Sequence, residues 1–280
     1  MAHPVAETFR KCSELIAADE NRRGNCLYFD QDDYIIFTGD IHGHRQNLAR
    51  IINHAALGKD PRRRLILHEI IHSDTYQDGA DRSIEVLLRA ARLKISYPRQ
   101  VFFLIGNHDI AQITGNEIVK HNQGVCRAFD ENLDATFGSA AGEVREAILE
   151  MLGNQPLAAR CPNGVFMAHS VPDPDKFEAI DWDIFNRPYK QEDFHRGGTV
   201  YLWTWGHVHD KEQLDALSNR LGVQWFLLGH RLIQTGYEIH HCQAVILASN
   251  HSHGAIMEFS AEASFTNETL RDHIRSIATL

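Results

Sequence analysis

The sequence predicts an α/β fold that combines a largely parallel sheet with a second, strand-rich layer. Three times within residues 34–109, an apolar run that suits a buried strand is followed by a polar turn and an amphipathic helix. This alternation is typical of βαβ units, whose strands run parallel. Further apolar runs with short turns, at 237–239, 244–248 and 255–259, predict a mixed or antiparallel sheet packed against the first.

Size and composition indicate a globular protein. The chain has 280 residues, 43% of them hydrophobic, and neither a repeat nor a linker divides it, so we expect one domain over residues 1–280. A net charge of −9 argues against a nucleic-acid partner or a membrane surface, because both require a basic face. Five cysteines without a C-x-x-C pair fit free thiols in a reducing compartment, so we expect a cytoplasmic protein.

Periodicity predicts the individual elements. Apolar residues at helical spacing predict helices over 4–18, 45–56, 83–94 and 210–221. Short apolar runs predict strands over 26–29, 34–38, 65–67, 101–105, 165–168, 200–205 and 223–228. We expect the first two strands to form a hairpin, residues 110–155 to form a helical insertion or cap, and the long loop over 173–198 to be functional.

The turn after the strand at 34–38 carries the first chemical signal. It contains Gly-Asp-Ile-His-Gly at 39–43. An Asp and a His two positions apart point into the crevice at the carboxyl end of the strand, where open α/β sheets place their sites. Both are ligands for Mn, Fe or Zn. Taken alone, the segment is equally consistent with a strand-to-helix turn that carries a surface His.

Residues of the same chemistry end the following strands. In chain order, the five strand ends carry Asp40 and His42, Glu69, Asn107 and His108, His169, and His230. Two metal ions about 3.5–4 Å apart need several N/O ligands and a bridging carboxylate, which this set supplies. Such ions make hydroxide available near neutral pH and clamp phosphoryl oxygens. The set therefore predicts hydrolysis of phosphate esters.

In-line attack on phosphorus also needs a proton donor for the leaving alkoxide. A His that is not a metal ligand suits this role, with a carboxylate to orient it. His108, next to the expected ligand Asn107, is the candidate. A cationic side chain such as Arg82 or Arg231 would hold the phosphate.

The order and spacing of these segments resemble the calcineurin-like metallophosphoesterase superfamily, and within it the phosphoprotein phosphatase branch. Residues 39–43 and 106–109 resemble the family's G-D-x-H-G and G-N-H-E. Three later segments resemble its L-P-x-A-A, its R-G-H with G-Y-E beyond, and its closing G-A-I-M, at 155–159, 229–238 and 254–257. The resemblance covers roughly residues 34–110 and 155–260.

The resemblance implies a β-sandwich of two mixed sheets flanked by α-helices, and hydrolysis of phosphate esters at a dinuclear centre. The cofactors would be two divalent metal ions, manganese in the first place and iron or zinc as alternatives. His108 would be the general acid. A phosphorylated small molecule or a phosphoprotein would be the substrate. Carried over residue by residue, the ligands would be Asp40, His42, Asn107, His169 and His230.

The family's second block, G-D-x-x-D-R-G, is not intact in this chain. His68-Glu69 stands where the bridging Asp is expected. We favour Glu69 as the bridge because it adjoins the strand, and Asp74 remains the alternative.

The same block would supply the Asp that orients the catalytic His. It is Asp78 if one counts back from the following helix, and Asp81 if the Asp-Arg pair decides. We favour Asp81, with Arg82 as the phosphate anchor.

Two further departures affect phosphate and metal binding. Ile105 stands where the family has an Arg, and the loop after residues 202–203 is too short to carry the family's second phosphate-binding Arg. Gly-His-Val-His at 206–209 imitates the G-H-x-H of the wider superfamily, but order and spacing favour His230 as the ligand. His207 would then bind substrate, and we expect structural or surface roles for histidines in loops, such as His72.

Three functions remain open. The favoured one is a dinuclear metal phosphatase for phosphomonoesters, with phosphoserine and phosphothreonine among them. The second is a dinucleoside polyphosphate or phosphodiester hydrolase, which the missing arginines and the acidic charge allow. The third is a non-catalytic binding module, which is disfavoured because His108 and nearly all ligand positions hold the residue types that the chemistry requires.

Overall fold

The structure is a computed structural model in which residues 2–74, 80–120 and 122–280 are described. Its helices are α1 Pro4–Ala17, α2 Arg45–Ala55, α3 Ser83–Ser96, α4 Asn107–Thr114, α5 Val125–Phe137, α6 Ala141–Gly153, α7 Gln191–Phe194, α8 Thr199–Thr204 and α9 Lys211–Leu221. Its strands are β1 Arg22–Arg23, β2 Cys26–Tyr28, β3 Tyr34–Asp40, β4 Arg63–His68, β5 Val101–Leu104, β6 Val119–Lys120, β7 Gln123–Gly124, β8 Ala158–Arg160, β9 Val165–Ala168, β10 Trp225–Leu228, β11 Tyr237–His240, β12 Ala244–Leu247, β13 Ala255–Ser260 and β14 Ile274–Ser276.

Two mixed sheets face each other, with helices outside them. One sheet has the order β14-β13-β3-β4-β5, in which β3, β4 and β5 are parallel and β13 is antiparallel to β3. The other has the order β1-β2-β8-β9-β10-β12-β11, with β9, β10 and β12 parallel. The expected β-sandwich of two mixed sheets flanked by helices is therefore confirmed.

The central strands are buried on both faces. Ile35 and Phe37 of β3 point into the core between the sheets, whereas Ile36 between them points into the core under α1, α2 and α3. In the second sheet, Phe166 and Phe226 point outward, where Phe166 packs against both Phe226 and Trp203 of α8. Strands covered on both faces read as nearly continuous apolar runs, which is why the sequence revealed them.

Two of the predicted elements are wrong. The strand expected over 200–205 is the helix α8, which begins after Gly198. A short apolar run that is buried on several sides does not distinguish a strand from a helix. The expected hairpin does not form either, since β2 pairs with β8 in one sheet while β3 pairs with β4 and β13 in the other.

Residues 110–155 are mostly helical, as the sequence predicted. They comprise the end of α4, the small β6–β7 pair, α5 and α6. Helix α6 packs along α1, and Phe129, Leu133 and Val144 are buried in the same core as the helix-facing side of β3. Among the described residues, no helix is both long and apolar enough to cross a membrane.

Candidate metal centre

The carboxyl ends of five strands meet where the two sheets approach each other. Asp40, the last residue of β3, forms an isolated bridge with Ala248 after β12, and its carbonyl accepts a hydrogen bond from Ser249 N–H at 3.1 Å. A Cβ on Gly39 would lie 2.2 Å from the carbonyl oxygen of Leu247, so only glycine permits this approach. The glycine before Asp40 thus brings the second sheet to the first.

Three polar atoms from β5, β9 and β10 converge in a triangle. Asn107 Oδ1 lies 2.8 Å from His169 Nε2 and 3.0 Å from His230 Nδ1, and the two ring nitrogens are 3.0 Å apart. Each neutral imidazole carries a single N–H, so hydrogen bonds can satisfy at most two of the three contacts. A cation with bonds of about 2.1 Å would place neighbouring ligand atoms about 3 Å apart and satisfy all three.

A second group of side chains lies beside this triangle. His42 Nε2 is 3.9 Å from Asp40 Oδ2. His42, Glu69 and His108 also form one group whose ligand atoms all lie within 4.8 Å of one another. The other nitrogen of His42, Nδ1, is 3.1 Å from the carbonyl oxygen of Ile71, which leaves the Nε2 lone pair for the centre.

Glu69 lies between the two groups. Its Oε2 is 3.4 Å from His169 Nε2, and its Oε1 accepts a hydrogen bond from His108 N–H at 3.0 Å. A Cβ on Gly106 would lie only 2.1 Å from Oε1, so the glycine makes room for the longer carboxylate. The alternative bridge, Asp74, instead binds Lys120 and Asn250. The structure therefore places Glu69, the favoured residue, where a carboxylate could be shared.

The backbone of the centre is strained. Within the described ranges, eight non-glycine residues have a positive φ. Four of them line this centre: His42 (40°), Glu69 (50°), His72 (61°) and His230 (70°). Such conformations cost about 1–3 kcal/mol each and persist where the surrounding structure enforces them, which is common at functional sites.

Burial neutralises the cluster in the metal-free chain. Desolvation raises the pKa of Asp40 to about 7, and burial together with Asp109 and Asp40 raises the pKa of Glu69 well above its usual value. Burial also lowers the pKa values of His42, His169 and His230, which keeps their lone pairs available. A bound divalent cation would instead lower the pKa values of the two carboxylates, so that they would be ionised. Neutral imidazoles and buried carboxylates are a suitable ligand set for divalent metal ions.

His68 is a residue of the centre that the sequence analysis did not select. It is buried, and its Nε2 lies 3.7 Å from Asp40 Oδ1. Neither of its ring nitrogens has a hydrogen-bond partner among the described residues, and burial lowers its pKa to about 3. Asp40, His68 and His169 form a third group that could hold a metal ion. The only signal in the sequence was that His68 precedes Glu69 at a strand end.

The structure corrects the expected partner of His108. His108 Nδ1 lies 2.9 Å from His72 Nδ1, whereas the Asp81 carboxylate accepts hydrogen bonds from the backbone N–H groups of Ser73 and Ser83. Asp81 thus holds the loop that carries His72 and does not orient His108 directly. The alternative, Asp78, lies outside the described residues. His72 is fully buried, although a structural or surface role had been expected for it.

A chain of hydrogen bonds fixes the tautomers of this His pair. Gln112 Nε2 donates to Asp130 Oδ1 at 3.1 Å, so Gln112 Oε1 faces His72 Nε2, 2.8 Å away, and that nitrogen carries the proton. The Nδ1 of neutral His72 then accepts a hydrogen bond from His108 Nδ1–H. This leaves His108 Nε2 to exchange a proton with a bound group. Burial, followed by the charges of His42 and Lys120, lowers the pKa of His108 well below its usual value.

The three residues expected to bind substrate have different surroundings. His207 Nε2 lies 3.3 Å from His230 Nε2, and it borders a pocket of about 390 Å³ with Tyr201 and Trp205. Arg231 instead pairs with His240 at 3.1 Å and lies 3.7 Å from Glu238 on β11. Arg82 is exposed at the start of α3 and borders a groove with Gly43, Arg45 and Arg89. The structure thus brings His207 directly against a candidate ligand.

A cation that no motif indicated also reaches the centre. Lys120 on β6 has its Nζ 3.3 Å from His42 Nε2 and 2.9 Å from Asp74 Oδ1. It comes from the insertion over 110–155, where the sequence offered no pattern to mark it.

Comparison with known proteins defines the class. A family model for calcineurin-like phosphoesterases matches residues 34–234, well over half of the chain. The chain therefore belongs to the calcineurin-like phosphoesterase family and is a phosphoric ester hydrolase. The expected resemblance to the phosphoprotein phosphatase branch is confirmed by the relatives and structures that match it.

Two curated relatives are yeast enzymes. The serine/threonine-protein phosphatase 4 catalytic subunit of Saccharomyces cerevisiae is 24% identical over 252 residues, which cover 84% of this chain and 73% of the relative. The same subunit of Eremothecium gossypii is 24% identical over 249 residues, which cover 84% and 72%.

Two solved structures share the fold. One is a protein serine/threonine phosphatase from Saccharomyces cerevisiae with similarity to human phosphatase PP5; its TM-score is 0.68 at 15% identity, covering 91% of this chain and 82% of that one. The other is a cold-active protein-tyrosine phosphatase of a psychrophile Shewanella, with a TM-score of 0.57 at 13% identity, covering 89% and 80%. Because these relatives act on different phosphorylated residues, the fold alone does not select the substrate.

Proposed function

We propose that this protein is a dinuclear-metal-dependent phosphatase that hydrolyses phosphomonoesters, with phosphoserine and phosphothreonine of proteins as the favoured substrates. One observation carries the proposal: two groups of ligand atoms adjoin, since Glu69 of one lies 3.4 Å from His169 of the other, and they lie beside a His pair, His72 and His108, with assigned tautomers. The serine/threonine phosphatases among the relatives support the choice of substrate.

The ligands divide into two sets. Asp40, His42 and Glu69 would hold one ion, and Glu69 with Asn107, His169 and His230 would hold the other. Two divalent ions would supply a water of lowered pKa and charge stabilisation for the phosphoryl oxygens. We propose manganese because the set mixes carboxylate, amide oxygen and imidazole ligands; iron or zinc would also suit it.

The side chain that acts on the leaving group is His108. An alkoxide of serine or threonine is a poor leaving group, so its oxygen must receive a proton as the P–O bond breaks. The hydrogen bond from His108 Nδ1 to His72 fixes the imidazole. Neutral His108 carries its only proton on Nδ1, so Nε2 first takes up a proton from solvent, which the negative charge of a bound phosphate favours, and then delivers that proton to the leaving oxygen. Because His72 is itself neutral and buried, it orients His108 without adding a negative charge.

The pocket beside His207 favours a second candidate function, hydrolysis of a dinucleoside polyphosphate. Tyr201 and Trp205 stack there with ring centroids 5.2 Å apart, and Lys176 and Arg196 also line the pocket. Aromatic faces bind bases by stacking, and the cations would attract phosphates. The same pocket would equally accept the residues that flank a phosphorylated side chain.

Hydrolysis by metal-stripped protein tests the proposal. We would assay p-nitrophenyl phosphate, a phosphothreonine peptide and a dinucleoside polyphosphate, each with and without Mn²⁺. Turnover of the two monoesters should require the metal and should fall about 10²-fold or more in His108→Ala, the typical contribution of a general acid. His253→Ala, which removes an exposed histidine outside the proposed site, is the matched control.

Each outcome has a defined meaning. Metal-dependent cleavage of the polyphosphate with no cleavage of either monoester would favour the second candidate. A protein that takes up no Mn²⁺, measured by elemental analysis, would contradict both.

A further inference from the structure

This chain departs from the family at its phosphate-binding arginines, as the sequence analysis noted. Ile105 occupies one such position, and Arg231 is turned toward Glu238 and His240. Besides the proposed metal ions, a cationic side chain would strengthen the binding of a phosphomonoester dianion in a pocket of buried carboxylates. Among the described residues, Lys120 is a cation that directly contacts a candidate ligand, His42.

Within the insertion, the β6–β7 pair that carries Lys120 is attached to the start of helix α5. Glu117, just before β6, accepts hydrogen bonds from the backbone N–H groups of Cys126 at 2.8 Å and Arg127 at 3.1 Å, at the start of α5. A Cβ on Gly124 would lie 2.5 Å from Glu117 Oε2, so glycine permits this closure. The base of the β6–β7 pair is therefore tied to a helix, and Lys120 extends from it.

An anchored carboxylate fixes the lysine side chain. Asp74 Oδ1 pairs with Lys120 Nζ at 2.9 Å, while Asp74 Oδ2 accepts a hydrogen bond from Asn250 Nδ2. An ammonium group has three N–H donors, and within the described ranges Asp74 and His42 take two of them. The side chain remains 29% exposed, so the ammonium borders both the buried ligands and solvent.

We propose that Lys120 is a phosphate-binding cation of the active site and selects dianionic phosphomonoesters over monoanionic diesters. This inference rests on the proposed function, because it assigns a residue to the same site. If a metal ion is bound to His42 Nε2, that nitrogen no longer accepts a hydrogen bond from Lys120 Nζ. The N–H of Lys120 would then be available to a phosphoryl oxygen. Asp74 holds the ammonium close to the ligands, so a second negative charge on the phosphate strengthens binding.

The test compares Lys120→Met, which removes the charge at similar length, with Lys120→Arg, which keeps it. Lys211→Met is the matched control, because Lys211 pairs with Asp215 on the solvent-facing side of helix α9. Binding of inorganic phosphate to the Mn-loaded proteins would be measured by calorimetry, and hydrolysis of p-nitrophenyl phosphate and of a bis-ester would be measured in parallel. Metal content and Tm would show whether each variant is folded and loaded.

We expect Lys120→Met to weaken phosphate binding about 10- to 100-fold, the range for a lost charge-assisted hydrogen bond. KM for the monoester should rise by a similar factor, KM for the bis-ester should change far less, and Lys120→Arg should retain most of the affinity. Unchanged phosphate affinity in Lys120→Met would overturn the proposal. So would tighter Mn²⁺ binding with unchanged phosphate affinity, because the lysine would then merely compete with the metal at His42. Failure of the wild-type protein to hydrolyse any ester would instead overturn the proposed function itself.

Discussion

The strand-end ligands and the insertion contribute to the centre in different ways. The strand-end ligands, as we call the candidate ligands Asp40, His42, Glu69, Asn107, His169 and His230, come from both sheets. Their positions follow from strand register and from glycines that permit close packing. The insertion contributes Gln112, which hydrogen-bonds His72 and is itself held by Asp130, and Lys120, which contacts His42 and Asp74.

The strand ends would therefore bind the metal ions, whereas the insertion would adjust the orientation of His108 and the affinity for phosphate. Ligands on strand ends are held on a rigid scaffold, which suits metal ions because their affinity depends on precise geometry. The insertion adds a charge and a hydrogen-bond chain to the centre, while its apolar residues Phe129, Leu133 and Val144 pack in the core beside β3. Variants of the two regions should therefore differ in what they lose: metal ions in the first region, and orientation or phosphate affinity in the second.

The largest effect is expected from loss of a strand-end ligand. His169→Ala removes a nitrogen that contacts Asn107 and His230, so metal content should fall. kcat/KM should drop by at least about 10³-fold, because metal stabilisation of the transition state is worth several kcal/mol. Elemental analysis and p-nitrophenyl phosphate kinetics would check this. His195→Ala, an exposed histidine, is the control, and full metal content in His169→Ala would contradict the assignment.

An intermediate effect is expected at the His pair. His72→Phe keeps the ring but removes the acceptor for His108 Nδ1–H, so kcat should fall about 10- to 100-fold while metal content stays the same. Nitrogen NMR of His108 should show a mixture of tautomers. The comparison variant is Asp81→Asn, which should alter kcat less than about threefold because Asp81 binds backbone amides. The reverse order of the two effects would restore Asp81 as the orienting group.

The smallest effect is expected on acid stability, through His68. Its folded-state pKa is about 3, against 6.5 for the exposed side chain, so the stability present above pH 6.5 is lost as the pH falls. Metal-free His68→Gln should therefore lose about 2 kcal/mol less than the wild type between pH 6.5 and 5. Urea unfolding at both pH values measures this difference. Equal losses would show that His68 is not held in its neutral form.

The sequence predicted the candidate site best where a ligand-type residue follows an apolar run that forms a buried strand. Buried strands ending in Asp40, Asn107 or His169 combine an apolar run with a ligand-type residue, and the structure brings all three together. His72 was expected to have a structural or surface role because it lies in a loop, and only the folded backbone shows that it faces His108. Lys120 could not be found because it is an isolated lysine whose role depends on contacts distant in sequence. The helix α8 was mistaken for a strand because an apolar run of six residues has no distinguishing period.

The bridge between Asp40 and Ala248 means that metal ions bound at this point would also stabilise the fold. The strands that supply the ligands belong to two sheets that touch at this point. Any ion coordinated by residues from both sheets crosslinks them, so its binding free energy adds to the cohesion of the whole sandwich. Separation of the sheets and release of the ions would then be one cooperative event, so the fold that positions the centre would also be stabilised by it.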